Sequence, residues 1–248
     1  MEWTDEALVL GAARHGESAL VVELLTRHHG RHKGLMRGGA GSRMRGVAQA
    51  GNRVAAIWRG RLAEHLGTAT LELVDANAAA VLGDPARLLA LGALCAVASA
   101  ALPEREPHPE VFEAALAVIG LLRDDDADPV EAAAALVYWE LGLLGALGYG
   151  LDLDSCAVTG GTEALAYVSP KSGRAVSREG AGDYADRLLP LPRFLREKAA
   201  PAAGDVLAGF ELTGHFLDRS VLVPNRVRLP AARGRLLDLL RRTSSGSE

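Results

Sequence analysis

The residues with the clearest chemical potential are the cations of one acid-free stretch. Between Glu23 and Glu64 the sequence has no carboxylate, while Arg27, Arg31, Lys33, Arg37, Arg43, Arg45, Arg53, Arg59 and Arg61 supply nine positive charges. His28, His29 and His32 add three titratable rings. Arg outnumbers Lys 24 to 3 along the chain, a ratio that coding bias alone can produce, so no single arginine is diagnostic. Nine cations without an intervening acid are more informative, because a solvated face normally mixes both signs. Side-chain alternation in an extended segment puts Arg31, Lys33, Leu35 and Arg37 on one face, and Arg53, Ile57 and Arg59 on another, opposite Val54, Ala56 and Trp58. Cations repeating on one side of a sheet can follow a phosphate backbone, with the Gly38 to Gly46 loop carrying Arg43 and Arg45 to further phosphates.

Other constellations offer less. Cys156-Ala-Val-Thr159 and Ser169-Pro-Lys-Ser172 have the spacing of paired zinc-knuckle turns, but three of the four ligand positions are hydroxyl residues. One thiolate cannot hold a structural zinc, so the expectation is a hydrogen-bonded hairpin around a lone buried or redox-inert thiol. Cys95, within an apolar helix, reads as core. The catalytic patterns G-x-S-x-G, H-E-x-x-H and the Walker-type loop do not occur, and no strand is followed by a complete G-x-G-x-x-G. Asp124-Asp-Asp126 with Asp128-Pro129 reads as the end of one helix and the cap of the next, and His215 as a mid-helix residue without an evident partner.

The elements that must position the cations are short. Ala7 to Arg14, Ala19 to Thr26, Arg31 to Arg37, Arg53 to Trp58 and Leu62 to Leu73 read as five strands with glycine punctuation, which predicts a small barrel with Trp58 in its core. From Asp84-Pro85 onward the texture is helical: about Pro85 to Leu102, Pro109 to Leu122 and Pro129 to Leu147, then Asp183 to Lys198, broken by Pro190 and Pro192, Gly204 to Arg219 and Ala231 to Arg242. Leu165 to Val168 and Arg174 to Ser177 form a hairpin interrupting them. Strands first and helices afterwards predict an α+β protein rather than an alternating sheet.

The 248 residues, 49% hydrophobic and 4% aromatic, suffice for one or two domains that bury a core without disulfides. The formal net charge of −4 hides the polarity of the chain. Ten acids lie between Pro103 and Glu140 against Arg105 and Arg123, and Arg219 to Arg242 is basic again, with seven arginines against Asp238. Two cysteines, no leader-like start and no apolar run that could span a bilayer predict a cytoplasmic protein without a membrane partner.

Gly16-Glu17-Ser18, Leu24-Leu25-Thr26 with Gly30-Arg31 and Gly34, Arg37-Gly38-Gly39-Ala40 with Ser42, Gln49 and Gly51, and Leu151-Asp152-Leu153 leading to Cys156 together resemble the bacterial RecO family of recombination mediators. The resemblance covers nearly the whole chain. It implies an N-terminal OB barrel over residues 1–80 and a helical domain over 81–248, with a zinc-ribbon-like insertion at 150–182. It further implies a cytoplasmic, nucleoid-associated, non-enzymatic protein without a cofactor. Such a protein binds single- and double-stranded DNA, anneals complementary strands, engages the acidic C-terminal tail of single-stranded DNA-binding protein, and works with RecR to load RecA. Carried over by residue, the DNA role falls on Arg31, Lys33, Arg37, Arg43 and Arg45, with Arg14 and Arg61. Zinc-binding members carry two Cys-x-x-Cys pairs where this chain keeps only Cys156, so the insertion is expected to be zinc-free. The alternative is an adaptor whose basic barrel face and helical groove bind acidic peptides rather than DNA, and a nuclease using Asp124 to Asp128 ranks third.

Overall fold

The structure is a computed structural model that describes residues 1–62, 65–197 and 199–245. It divides into two compact units, residues 1–125 with 230–233, and residues 126–229 with those from 234 on.

The first unit is built on a closed five-stranded barrel: β1 (Glu2–His15), β2 (Ala19–Thr26), β3 (Gly30–Met36), β4 (Arg53–Arg59) and β5 (Thr68–Asp75), in the order β1-β2-β3-β5-β4. This is the expected α+β arrangement with an OB-type barrel first. β1 starts five residues before the expected Ala7, because Glu2 to Glu6 pair with the far end of β4, although apart from Trp3 they are polar. It serves both neighbours by bending at a bulge between Val9 and Gly11. Ala7, Val9, Val22, Leu24, Val54 and Ala56 fill the interior. Leu8 and Leu25, on the outer face, are equally buried because helices cover it.

Two expectations change here. β5 begins at Thr68 rather than Leu62; residues 63 and 64 of the expected strand lie outside the described residues. The β4–β5 connection folds over Trp58, whose indole N–H donates to Lys33 O at 3.1 Å and Leu66 O at 3.2 Å. A Cβ at Gly60 or Gly67 would come within 2.4 Å of that ring, so the turn requires glycine at both. The Gly38 to Gly46 stretch is likewise not all loop. It contains α1 (Ser42–Val47), whose Met44 and Val47, with Ala48, form a short apolar stripe on the barrel core.

α2 (Asn77–Ala80), α3 (Pro85–Ala101) and α4 (Pro109–Arg123) complete the unit, with α3 against β1 and α4 against β2. Asp84 caps α3 by accepting from the N–H groups of Ala86 and Arg87, with Pro85 at the first helical position. Leu91 of α3 fills the space above Gly51, where a Cβ would sit 2.4 Å from the leucine methyl group and φ is +91°.

In the second unit α5 (Pro129–Ala146) is capped by Asp128, which accepts from Val130 N–H at 2.7 Å, as expected of that Asp-Pro pair. It packs on α7 (Ala203–Phe216), where the Thr213 hydroxyl donates to the fully buried Glu140 carboxylate. The hairpin strands β6 (Leu165–Val168) and β7 (Ala175–Ser177) gain a third partner, β8 (Leu189–Pro190), in the order β7-β6-β8. Of the helix expected over Asp183 to Lys198 with breaks at Pro190 and Pro192, only 3-10 turns form, and its last residue lies outside the described residues. After α6 (Arg178–Ala181) come a 3-10 turn, β8 and a second 3-10 turn, the two prolines interrupting any continuous ladder. α7 passes into a π-helical turn at Leu217–Leu222, and α8 (Ala231–Ser245) ends the described chain. His215 does have a partner: its Nε2 lies 3.1 Å from Pro170 O, which the Arg219 guanidinium also approaches. No helix among the described residues is long and apolar enough to cross a membrane.

Candidate nucleic-acid interface

Strand alternation puts the cations on the barrel surface as the sequence predicts: Arg31, Lys33 and Leu35 face outward between the buried Gly30, His32, Gly34 and Met36. Their partners were not legible. Five of the nine cations between Glu23 and Glu64 are ion-paired with carboxylates from outside the run. Arg27 bonds Glu6 at 2.8 Å and also Glu113 on α4. Arg53 pairs with Glu6 and, at 3.2 Å, with Asp75. Arg59 meets Glu2 at 2.8 Å.

Arg31 and Lys33 are held most firmly. The linker between α3 and α4 runs beside β3 and forms a parallel bridge, Arg31 with Glu104. Arg31 Nε donates to Leu102 O at 2.7 Å, its guanidinium pairs with Glu23 and lies 3.7 Å from Glu104, and Arg105 N–H donates back to Arg31 O at 2.9 Å. Lys33 Nζ sits 3.0 Å from Glu104. The Lys33 hydrogen bond is the main influence that holds the Glu104 carboxyl below its ordinary range.

Arg14, Arg37, Arg43, Arg45 and Arg61 differ. All five are exposed, and none has an ion-pair partner among the described residues. They also share a place. Arg14 pairs with Leu20 and Leu20 with Met36, the residue before Arg37; Leu35 pairs with Thr68 and Thr68 with Arg59, two residues before Arg61. One register row therefore carries Arg14 and runs next to Arg37 and towards Arg61; Arg43 and Arg45 follow on α1, and Ala40 N–H to Ser18 O at 3.1 Å ties the β1–β2 tip to the loop leading into α1. Arg14 and Arg37 stand about two strand spacings apart, roughly 10 Å. Of the paired cations, Arg53 and Arg31 occupy a different row, Asp75-Arg53-Leu8-Leu25-Arg31, whereas Arg59, held by Glu2, lies on the first row.

The rings close to the barrel do not form an open stacking platform. Trp58 is 1% exposed, and Trp3 stacks with His29 at 4.4 Å and with Trp58 at 5.8 Å, while His32 meets both tryptophans edge-on. The carboxylate of Asp5 holds this cluster in place by accepting from the N–H groups of Glu6 and His28 and facing Nδ1 of His28 and His29. Burial raises the Asp5 carboxyl, but these hydrogen bonds outweigh it and set the group below its ordinary value.

Cys95 and Cys156 are both buried free thiols. Cys95 follows its setting simply, burial pushing it up to about 12. Cys156 does not. Burial alone would raise it, but Sγ accepts from Ser177 Oγ–H and N–H at 3.4 and 3.2 Å and from Thr159 N–H at 3.4 Å, which brings it down to about 6. Among the described residues no group of three or more His, Cys, Asp or Glu is placed to hold a metal.

Protein-family models for the N-terminal and C-terminal parts of recombination protein O match residues 1–77 and 82–229. The chain belongs to the RecO family of DNA repair proteins. Similar members span almost its whole length. A DNA repair protein RecO of Rhodospirillum centenum is 52% identical over 99% of this chain and 98% of its own, and one of Rhodospirillum rubrum is 47% identical over the same shares. One of Rhodopseudomonas palustris is 51% identical over 90% of both chains. Within the RecO fold, the seven residues picked from the sequence separate into Arg31 and Lys33, bound to the α3–α4 linker, and Arg14, Arg37, Arg43, Arg45 and Arg61 on the open row. What sequence reasoning missed are the carboxylates that make this division, Glu6, Glu23 and Glu104. Their signal is strand register, which local pattern does not supply.

Proposed function

We propose that this chain is a non-enzymatic recombination mediator that binds single- and double-stranded DNA through the open row of arginines. It anneals complementary strands and, with RecR, helps load RecA at gaps coated by single-stranded DNA-binding protein, whose acidic tail it engages. The observation that carries this reading is the set of exposed cations without carboxylate partners among the described residues, centred on Arg37, Arg43 and Arg45. A surface that neutralises two phosphate backbones removes their mutual repulsion, so annealing needs no nucleotide hydrolysis. Membership of a family whose relatives are named DNA repair proteins supports the biological setting.

The test is a titration of labelled single-stranded DNA at several salt concentrations with the wild type and with Arg37, Arg43 and Arg45 together changed to Ala. The triple variant is expected to bind roughly tenfold or more weakly at low salt, and the slope of log affinity against log salt should flatten by about 2, at about 0.7 per lost contact. Unchanged affinity and slope would move the interface away from this row. Binding of an acidic peptide in preference to DNA would favour the adaptor reading instead.

A further inference from the structure

The barrel wall is nearly open between β3 and β5. The two strands pair at a single position, Leu35 with Thr68, where Leu35 N–H donates to Gly67 O at 3.0 Å, whereas β2 and β3 pair along the whole of β3. α1 contacts β5 across the gap and sets Met44 on the barrel core. A groove of about 400 Å³ results, walled by Leu35, Met36, Met44 and Leu71, with Thr70 and Arg37 at its mouth.

The chemistry of this groove is divided. Its floor is apolar, Met36 and Leu71 being almost completely buried. Its rim is cationic: Arg37 lines it, and Met44 lies between Arg43 and Arg45 on α1. None of these arginines has an ion-pair partner among the described residues. An apolar slot bordered by uncompensated cations is complementary to a flat ring that carries phosphates on either side. Thioether sulfur packs favourably against aromatic rings, and a duplex keeps its bases stacked inside and cannot offer one. The tryptophans of the barrel, engaged with each other and with His29, do not supply this contact.

We propose that the β3–α1–β5 groove receives a nucleobase splayed from a single-stranded nucleic acid, while Arg37, Arg43 and Arg45 hold the flanking phosphates. This rests on the nucleic-acid reading above and adds to it a site that senses whether bases are unpaired. The polar side chains of the lining are Thr68, Thr70 and Arg37; a hydroxyl both donates and accepts, so the groove accepts bases with little regard to identity.

The test uses the full chain and two labelled oligonucleotides of equal length and charge, oligothymidylate and a fully abasic strand. Oligothymidylate is expected to bind about fivefold or more tightly, as one stacked base contributes. Thr70→Phe fills the mouth of the groove, and the exposed strand position tolerates an aromatic; Met44→Ala removes a wall. Each should bring the two affinities together while leaving abasic-strand affinity and its salt slope unchanged, and matching thermal melts confirm that the variants fold. Equal affinities in the wild type, with salt dependence intact, would overturn the groove assignment and leave backbone binding standing. A thymidylate preference that both variants retain would also overturn it, by putting the base elsewhere. No salt-dependent binding to either strand would instead defeat the underlying nucleic-acid reading.

Discussion

Two rows of the same barrel carry the same residue type in opposite situations. Along Arg53, Leu8, Leu25 and Arg31 every cation meets a carboxylate, and the charge belongs to the fold. Along the row from Arg14 past Arg37 towards Arg61, Arg59 is paired with Glu2, and the other arginines meet no carboxylate among the described residues. The difference lies in what long-range contacts bring alongside. Glu104 reaches Arg31 and Lys33 from more than seventy positions further along the chain. A count of positive charge along a sequence therefore overstates what a ligand can use, and the usable part is what remains after internal pairing.

The comparison breaks most readily at Arg31. Its side chain is 15% exposed, and Arg31→Ala leaves Glu23 without its guanidinium partner, Glu104 with Lys33 as its remaining close cation, and Leu102 O without the Nε donor. Urea unfolding should show a loss of about 2 kcal/mol, with the salt slope of DNA binding unchanged. A slope that flattened as it does for Arg43 would mean that the two rows are not distinct.

A smaller effect is expected at Asp5, which ties the β2–β3 turn to β1. Its folded carboxyl lies below the ordinary value of about 3.9, so the stability it supplies is complete above that value and is lost as pH falls through the lower folded one. Asp5→Asn should cost about 1–2 kcal/mol at neutral pH and flatten the acid side of a stability-pH profile below about pH 4. An acid limb identical to the wild type would show that the carboxylate is not linked to folding.

The smallest change sharpens the comparison from the other side. Glu104→Gln releases Lys33, which is 43% exposed, and should convert a paired cation into a usable one. The salt slope for single-stranded DNA should steepen by about 0.7, at a stability cost below about 1 kcal/mol. An unaltered slope would show that Lys33 cannot reach the ligand even when free.

The strands β2 and β4, the helices α3 to α5 and the core position of Trp58 were legible because each rests on local pattern: alternation, a proline at the first helical turn, an Asp cap. The start of β1 was not, since Glu2, Thr4, Asp5 and Glu6 are polar and become strand only by pairing with β4. In Asp183 to Lys198 the proline breaks were legible, but the pairing of Leu189 and Pro190 with β6 was not, because it depends on a partner some twenty residues away. At the candidate interface, alternation identified which residues face outward, and Arg37, Arg43 and Arg45 are exposed as expected. It could not say which outward cations were already engaged, nor that Met44, in a stretch read as flexible loop, would wall a groove.

The α3–α4 linker also bears on the order in which the chain is made. All five strands have been synthesised by Asp75, but Glu104 and Glu113 follow some thirty to forty residues later. Until they emerge, Lys33 has only Glu23 nearby, at 4.0 Å, and Arg27 and Arg31 each lack one of their carboxylates. A barrel that forms first during translation thus exposes additional positive charge beside the ribosome's own RNA, and the arrival of the linker ends that exposure.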